Sequence, residues 1–374
     1  MAGAQEDDPL VKILIVTGSF PPAKCGVGEY SSHLAKALTE GRSSRVGILT
    51  TSSRGPAETT ESGIEVFRRI PDWTLSSLPP ALRFIADDQP DCVHIQYPTQ
   101  GYDGPLAMVL PVFLRLQHIP VVQTWHEHYS ECAALGWPNL LACDALIHVQ
   151  PDLPRRLPRW VRIALGNTPV RFIRNASTIP VDRVDRNEVS RLKREISPDR
   201  PLVCFFGFAN PNKGVERLFG IADPAAHHLV LLCDLDDTNP YQSGILRMAR
   251  ERPWAGHVTV TGFLPAERVA AHLAAADAVV FPFLNGAGEW NTSLQAAAST
   301  GAFTLATTRD PARYGYDAAA NLFYCGCDAL SEMRDALGRY VGRRVAPRTG
   351  SPWNDIASAH EDVYRSVCPG ASPP

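Results

Sequence analysis

The sequence lacks any apolar run that approaches the length of a membrane-spanning helix, although 45% of its 374 residues are hydrophobic. Residues 1–9 are acidic and polar, so they lack the basic and apolar segments of a secretory signal peptide. The formal net charge of -3 supplies no positive excess to attract nucleic acid. We therefore predict a globular, cytoplasmic protein that does not bind nucleic acid.

Cysteine and histidine clusters at metal-binding spacing are also missing. The nine cysteines are scattered, and three fall inside apolar, strand-like runs: Cys92, Cys204 and Cys233. This placement favours free thiols in a reducing compartment. Cys325 and Cys327 form the only close pair, and His126 and His128 form a His-x-His pair without an evident third ligand. We therefore predict that the protein has no metal site.

Strand-like and helix-like segments alternate along the chain in two separate series. Residues 11–17 and 201–208 are nearly continuous apolar runs, typical of central parallel strands that are covered on both faces. The alternation predicts an α/β protein with two doubly wound, Rossmann-like domains and a ligand cleft between them. We place the domains at residues 1–185 and 186–348, with a polar linker within 175–200. An amphipathic helix and a tail follow at 349–374.

Residues 286–301 connect two predicted buried strands, and we expect a glycine-containing loop followed by a short helix. Thr292 and Gln295 have the spacing of a capping box, and the glycine at position 301 is a typical C-terminal stop. The backbone amides of Ser293 and Leu294 would then lie at a positively polarised helix end. Such an end can hold a phosphate or another anion.

Other candidate residues lie on predicted loops, and each has an ordinary alternative. Glu289 could accept hydrogen bonds from hydroxyl groups, or it could be a solvated carboxylate. Lys213 could reach a diphosphate as a point charge, or it could be a surface lysine. His126 could bind a sugar hydroxyl, or it could be a satisfied structural histidine. Gly26 and Gly28 could let a phosphate approach the backbone, or they could form a simple loop with positive φ.

Residues 155–162 interleave four arginines with apolar residues. This pattern could rest on an anionic membrane surface at the inner membrane face, which would suit a lipid-linked acceptor. A solvated loop is the commoner outcome for so short a run, and it is the interpretation that the sequence favours.

The order of these motifs resembles that of the GT-B glycosyltransferases, in particular the large retaining family four, over nearly the whole chain. Residues 20–30 resemble the family's proline-then-glycine loop, and residues 121–127 its strand with a threonine-x-histidine turn. Residues 206–214 resemble its glycine-to-lysine-glycine loop, and residues 261–282 its region around the nucleotide base. The helix that starts at Trp353 resembles the segment that crosses back to the first domain.

The resemblance implies a GT-B fold and a metal-independent, retaining glycosyltransferase that needs no cofactor. Its substrates would be a nucleoside-diphosphate sugar and a glycan, lipid-linked saccharide or small molecule with a free hydroxyl. We expect His126, Lys213 and Glu289 to act in catalysis. The donor would contact a larger set of residues: Gly26, Gly28, Gly207, Asn212, Gly262, Thr292, Ser293, Leu294 and Gln295.

The sequence departs from the commonest family pattern, in which two glutamates bracket the loop and helix start. Aligning the alanine after the second glutamate with Ala296 puts Gln295 and Ala287 at the glutamate positions. Glu289, followed by Ser293 and a leucine, instead resembles a divergent branch with a single earlier glutamate.

The family's usual arginine before the lysine is also missing, since residues 208–210 are Phe-Ala-Asn. Two alternatives therefore stay open. One is a non-catalytic GT-B subunit that binds nucleotide or a partner glycosyltransferase. The other is a GT-B-like epimerase or phosphorylase, although no lysine has a context typical of pyridoxal phosphate.

Overall fold

The computed structural model describes residues 11–41, 44–52, 58–61, 63–99, 101–127, 139–348 and 350–368. His128 and the predicted tail at 369–374 lie outside these ranges. The chain divides into two units, one made of Met1–Arg174 with Ser351–Pro374 and the other of Asn175–Gly350. This division comes earlier in the chain than the boundary predicted after residue 185.

The first unit contains an eight-stranded sheet. Its strands are β1 (Val11–Val16), β2 (Ser44–Thr51), β3 (Glu58–Glu61), β4 (Ile64–Ile70), β5 (Cys92–Tyr97), β6 (Val121–Trp125), β7 (Ala145–His148) and β8 (Val170–Phe172). Their spatial order is β3-β4-β2-β1-β5-β6-β7-β8. All neighbouring pairs are parallel except β3 with β4. Residues 13–16 of β1 are fully buried, so the predicted central strand is confirmed.

Helices cover this sheet. They are α1 (Gly26–Glu40), α2 (Leu78–Asp88), α3 (Leu106–Leu116), α4 (Leu153–Arg156) and α5 (Arg159–Leu165), with a 3₁₀ turn at Leu75–Ser77. Apolar side chains of α2 to α5 pack into one core with β1, β5 and β6. α1 begins at Gly26, within the segment that resembles a proline-then-glycine loop. The reason is that the Glu29 amide donates to the Cys25 carbonyl at 2.9 Å and closes the first turn.

The second unit contains a seven-stranded sheet. Its strands are β9 (Leu202–Phe206), β10 (His228–Leu232), β11 (Val258–Val260), β12 (Ala278–Phe281), β13 (Phe303–Thr307), β14 (Gly315–Asp317) and β15 (Leu322–Cys325). Their order is β11-β10-β9-β12-β13-β15-β14, and only β14 and β15 pair antiparallel. The two sheets together give the doubly wound α/β architecture that the alternation predicts.

Among its described residues, the second unit also contains six helices and four 3₁₀ turns. The helices are α6 (Arg186–Ile196), α7 (Leu218–Ile221), α8 (Pro240–Arg250), α9 (Ala266–Ala275), α10 (Thr292–Ser299) and α11 (Leu330–Tyr340). The turns are Val181–Arg183, Pro211–Lys213, Val215–Arg217 and Pro311–Arg313.

The predicted linker within residues 175–200 is wrong, because most of this segment packs on the second unit. α6 lies against α9, and its Leu192 is only 4% exposed. The Lys193 ammonium lies 2.6 Å from a carboxylate oxygen of Asp277. A helix with one narrow apolar stripe has a polar composition, so composition alone made it look like a linker.

The C-terminal helix α12 (Trp353–Val367) belongs to the first unit and packs against α1. The Trp353 ring lies edge-on to Tyr30, with 5.3 Å between the ring centroids. Ile356 and Val363 are buried on the same helix face. In the part of the chain that the structure describes, no helix is both long enough and apolar enough to cross a membrane.

A buried polar network joins α12 to the first sheet. A nitrogen of His94 on β5 lies 2.7 Å from the Tyr364 hydroxyl, and its other nitrogen lies 2.8 Å from the Thr124 hydroxyl. His360 donates from Nδ1 to the Ile356 carbonyl at 2.7 Å, because a carbonyl only accepts. Its Nε2 therefore accepts from the hydroxyl of Tyr30 at 3.2 Å.

Three buried histidines of the first unit, the two of this network and His126, are held neutral. Burial, with charge repulsion from His360, lowers the pKa of His126 to about 3. Burial lowers the pKa of His360 to about 4. Burial, followed by the neighbouring histidines, also holds the pKa of His94 well below its usual range. A proton added to any of them would place a charge where there is little water to solvate it.

We expect the free energy of unfolding to fall as the pH drops from about 6.5 to about 4. In this window the unfolded chain binds protons at ordinary histidine pKa values, whereas the folded network does not. The contribution of the neutral histidines to the free energy of unfolding is therefore complete above the histidine pKa of the unfolded chain. This contribution is lost as the pH falls below that value. Each histidine contributes up to about 1.4 kcal/mol per pH unit. Urea denaturation of the full chain at several pH values measures the slope.

The matched variants for this measurement are His360→Gln and His118→Asn. The first removes one titrating group and should flatten the slope. In the second, the replaced histidine is exposed and its backbone is in the left-handed conformation, which asparagine tolerates. This substitution should leave the slope unchanged. Equal slopes for all three proteins would contradict the prediction.

Candidate functional site

The loop that follows β9 carries Lys213 and is anchored to the end of β12. Gly214 has φ +60°, and a Cβ atom there would lie 2.5 Å from the Pro282 carbonyl oxygen. The Leu284 amide donates to the Asn212 carbonyl at 2.9 Å. Only glycine combines this dihedral with so close an approach. The backbone on both sides of Lys213 is therefore held against the neighbouring strand.

The Lys213 ammonium lies over the ring of Phe283, 4.1 Å from its centroid. The Phe283 side chain is 2% exposed, so the ring provides a rigid base for the cation. The lysine is half-buried rather than extended into solvent. This arrangement fixes a positive charge at the carboxyl edge of the second sheet.

The amino end of α10 lies next to this loop. Gly207, at the end of β9, has φ +140°, and a Cβ atom there would be 4.0 Å from the Ser293 hydroxyl oxygen. The chain thus brings two predicted donor-binding positions into one corner of the unit. Asn212 and Lys213 occupy the next turn of the same loop.

The predicted capping box of Thr292 and Gln295 is wrong. The N-cap of α10 is Asn291, whose side chain makes no capping bond to the helix. Its side-chain oxygen instead accepts from the Gly288 amide at 2.7 Å, and its own amide donates to the Gly288 carbonyl at 3.0 Å. This reciprocal pair closes the turn before the helix.

The side chain of Gln295 reaches back, but to carbonyl oxygens rather than to an amide. Its Nε2 donates to the Asn175 carbonyl at 2.9 Å and also to the Glu289 carbonyl. No N-cap side chain covers the helix start. The backbone amides of the first turn are therefore available to bind an anion. The helix ends where predicted, since Gly301 has φ +75°.

Glu289 is paired with an arginine that the sequence did not single out. A terminal nitrogen of Arg313 lies 2.7 Å from the Glu289 carboxylate, whose side chain is 58% exposed. Arg313 also lies 5.9 Å from the ring centroid of Tyr324. Partial burial lowers the pKa of Arg313, but the hydrogen bond and charge of Glu289 outweigh this effect and raise it overall. The pair orients one carboxylate oxygen and leaves the group open to solvent.

Gly262 follows β11 at the same edge of the sheet, two strands away from β9. It has φ +69°, and a Cβ atom there would meet no described residue within 4 Å. Its carbonyl accepts from the Thr261 hydroxyl at 2.9 Å. The structure therefore places Gly262 along the same edge but not in contact with Lys213.

The chain is similar to known glycosyltransferases. A family model described as a glycosyl transferase 4-like domain matches residues 25–180. A GDP-mannose-dependent alpha-mannosyltransferase of Mycobacterium tuberculosis is 30% identical over 269 residues, which cover 63% of this chain and 66% of that protein. A GDP-mannose-dependent alpha-(1-6)-phosphatidylinositol monomannoside mannosyltransferase of Mycolicibacterium smegmatis is 26% identical over 290 residues, 72% of each chain.

Among solved structures, the sucrose-phosphate synthase of Thermosynechococcus elongatus matches with a TM-score of 0.75 at 17% identity. That match covers 96% of this chain and 99% of the other, and it shows a shared GT-B fold. The chain belongs to the GT-B glycosyltransferases related to family four. The predicted fold and family are therefore confirmed. The first mycobacterial relative is matched over about two thirds of its length.

In this glycosyltransferase, the predicted glycines of the first unit lie within helix α1 rather than in a loop. Neither has positive φ, so the predicted loop conformation is wrong. A Cβ atom on Gly28 would lie 2.7 Å from the Ser19 carbonyl oxygen. Gly28 therefore lets α1 pack closely against the segment that precedes the helix. Gly26 has no described neighbour within 4 Å of its Cβ position and stays a candidate for substrate contact.

His126 of the glycosyltransferase is a buried, hydrogen-bonded residue. Its Nε2 donates to the side-chain oxygen of Gln96 at 2.7 Å, and its amide donates to the Tyr97 carbonyl at 2.8 Å. The Tyr30 ring lies edge-on at 4.7 Å. These contacts match the structural alternative considered for His126, and its role in catalysis stays a prediction.

Acidic residues after β10 form a turn. Asp236 accepts from the Thr238 amide at 2.8 Å and from its hydroxyl at 2.7 Å. These bonds to the protein lower the pKa of Asp236. Within the described ranges, no cluster of three His, Cys, Asp or Glu side chains could hold a metal ion.

Proposed function

We propose that this glycosyltransferase transfers a sugar, with retention of configuration, from a nucleoside-diphosphate sugar to a hydroxyl acceptor. One observation carries the proposal. The Lys213 loop and the uncapped start of α10 share one corner at the carboxyl edge of the second sheet. Ligands of parallel α/β sheets bind at this edge, and a lysine with open helix amides suits a diphosphate.

In the proposed reaction, the bond between the anomeric carbon and the diphosphate oxygen breaks. The acceptor oxygen bonds to the anomeric carbon on the same face, and its proton passes to an oxygen of the leaving diphosphate. Lys213 and the amides of Ser293 and Leu294 stabilise the negative charge that develops on the leaving group. Glu289, oriented by Arg313, accepts hydrogen bonds from donor hydroxyls.

GDP-mannose is the donor that we propose to test first, because both mycobacterial relatives carry it in their names. The acceptor class is a glycan or a lipid-linked saccharide. The second relative is named for a phosphatidylinositol monomannoside acceptor, which supports including lipid-linked acceptors.

A non-catalytic, nucleotide-binding subunit is the second candidate function, and one observation favours it. Gln295 stands at the family's second glutamate position, and its amide group is engaged by two backbone carbonyls. It therefore cannot turn its nitrogen towards a donor without losing these bonds. Binding of GDP-mannose without turnover over a panel of acceptors would favour this candidate.

We predict that Lys213→Ala weakens nucleotide-sugar binding by roughly ten- to a hundredfold, equivalent to about 1.5–3 kcal/mol for a charge-assisted bond. Isothermal titration calorimetry with GDP-mannose and with GDP measures the change. Lys36→Ala, on an exposed position of α1, is the matched control and should bind like the parent. Unchanged affinity in Lys213→Ala would remove the donor site from this loop.

We expect Glu289→Gln to lower kcat/KM about tenfold, equivalent to about 1.4 kcal/mol. The amide keeps the shape of the side chain but loses the charge that pairs with Arg313. Glu267→Gln, an exposed substitution on α9, is the control for loss of one negative charge. Parent-like kinetics in Glu289→Gln would exclude a role for this carboxylate in the reaction.

We predict full transferase activity in the presence of EDTA, because the proposed site neutralises the diphosphate with Lys213 and helix amides. Initial rates with GDP-mannose are compared before and after chelation. A rate that collapses in EDTA and returns on addition of manganese would show that the site needs a divalent cation.

A further inference from the structure

One stretch of the first unit carries basic residues without acidic neighbours in sequence. Between Asp152 and Asp182 there are six arginines and no aspartate or glutamate: Arg155, Arg156, Arg159, Arg162, Arg171 and Arg174. All six are exposed. The stretch spans α4, α5 and β8, and we refer to its exposed side chains as the arginine surface.

These arginines are largely unpaired within the protein. Arg156 forms a salt bridge of 2.6 Å with Asp152. In the described ranges, none of the other five has a carboxylate partner within salt-bridge distance. Positive charge that the fold does not use is therefore presented to solvent along this stretch of the chain.

The outward face of α5 adds large apolar side chains to this charge. Val161 and Leu165 are buried in the core, whereas Trp160 is 53% exposed and Ile163 is 70% exposed. Trp160 and Ile163 are three residues apart and therefore neighbours on the helix surface. In the sequence, the arginine at position 159 directly precedes Trp160, and the arginine at position 162 lies between Trp160 and Ile163.

The edge strand β8 extends the same pattern. β8 pairs only with β7 among the described strands, so it is the last strand of the sheet. Phe172 is 47% exposed and stands between exposed arginines at positions 171 and 174. The surface thus combines arginines with a few scattered apolar side chains.

We propose that the arginine surface docks the protein on an anionic phospholipid membrane. Guanidinium groups pair with lipid phosphates, and exposed Trp, Ile and Phe side chains insert at the boundary of headgroups and acyl chains. Each basic residue near an anionic bilayer adds to this attraction. The sequence alone favoured a solvated loop at residues 155–162, but a helix that exposes Trp160 and Ile163 beside arginines favours the membrane.

The proposal does not depend on sugar transfer. Docking would bring the site to lipid-linked acceptors, but empty vesicles without donor or acceptor suffice to test it. Failure of docking therefore leaves the proposed transferase function intact, and failure of transfer leaves the docking result intact.

The test is co-sedimentation of the full chain with vesicles of phosphatidylcholine, alone or mixed with phosphatidylglycerol. We expect binding to the mixed vesicles only, weakened by added salt. Arg159→Glu combined with Arg162→Glu should lower the apparent partition coefficient at least ~tenfold. Arg191→Glu with Arg194→Glu, which makes the same charge change on exposed positions of α6, should bind like the parent.

A second pair of variants tests the apolar contribution. Trp160→Ser with Ile163→Ser should lower partitioning about tenfold, whereas Leu75→Ser, which alters a residue 54% exposed elsewhere on the unit, should not. Parent-like thermal unfolding shows that the variants are folded. The proposal is overturned if the parent stays in the supernatant with mixed vesicles. It is also overturned if the α5 and α6 charge reversals bind equally.

Discussion

The close approach of Gly214 to the Pro282 carbonyl is the constraint on which the candidate site depends. It allows the Asn212 carbonyl to accept from Leu284, and this bond ties the loop after β9 to the loop after β12. Lys213 then lies on the buried ring of Phe283 instead of moving freely in solvent. A cation with restricted motion loses less entropy when it binds a phosphate.

Much of the fold could be predicted because buried parallel strands are continuous apolar runs. β1 and β9 were recognisable for this reason, as was the apolar face of α12. α6 was mistaken for a linker, since one buried residue, Leu192, and a salt bridge through Lys193 hold a mostly polar helix in place. Composition describes the average of a helix, whereas packing depends on one face of it.

The site was predicted less completely than the fold. Lys213 and the start of α10 follow strands in a recognisable pattern, so their neighbourhood could be anticipated. The role of Arg313 could not be anticipated, because this residue is 24 positions away from Glu289 in the sequence. The two residues meet because β12 and β13 are adjacent in the sheet. The capping box failed for a related reason, because Asn291 forms its bonds with Gly288 inside the preceding turn.

The return of α12 to the first unit has a consequence for the order of synthesis. His94 and Tyr30 precede their hydrogen-bond partners Tyr364 and His360 by 270 and 330 residues, so these partners are made only after the whole second unit. During translation the first unit holds buried polar groups without their partners, while the second unit is already complete in sequence. The first unit therefore cannot complete this network until the second unit has been synthesised.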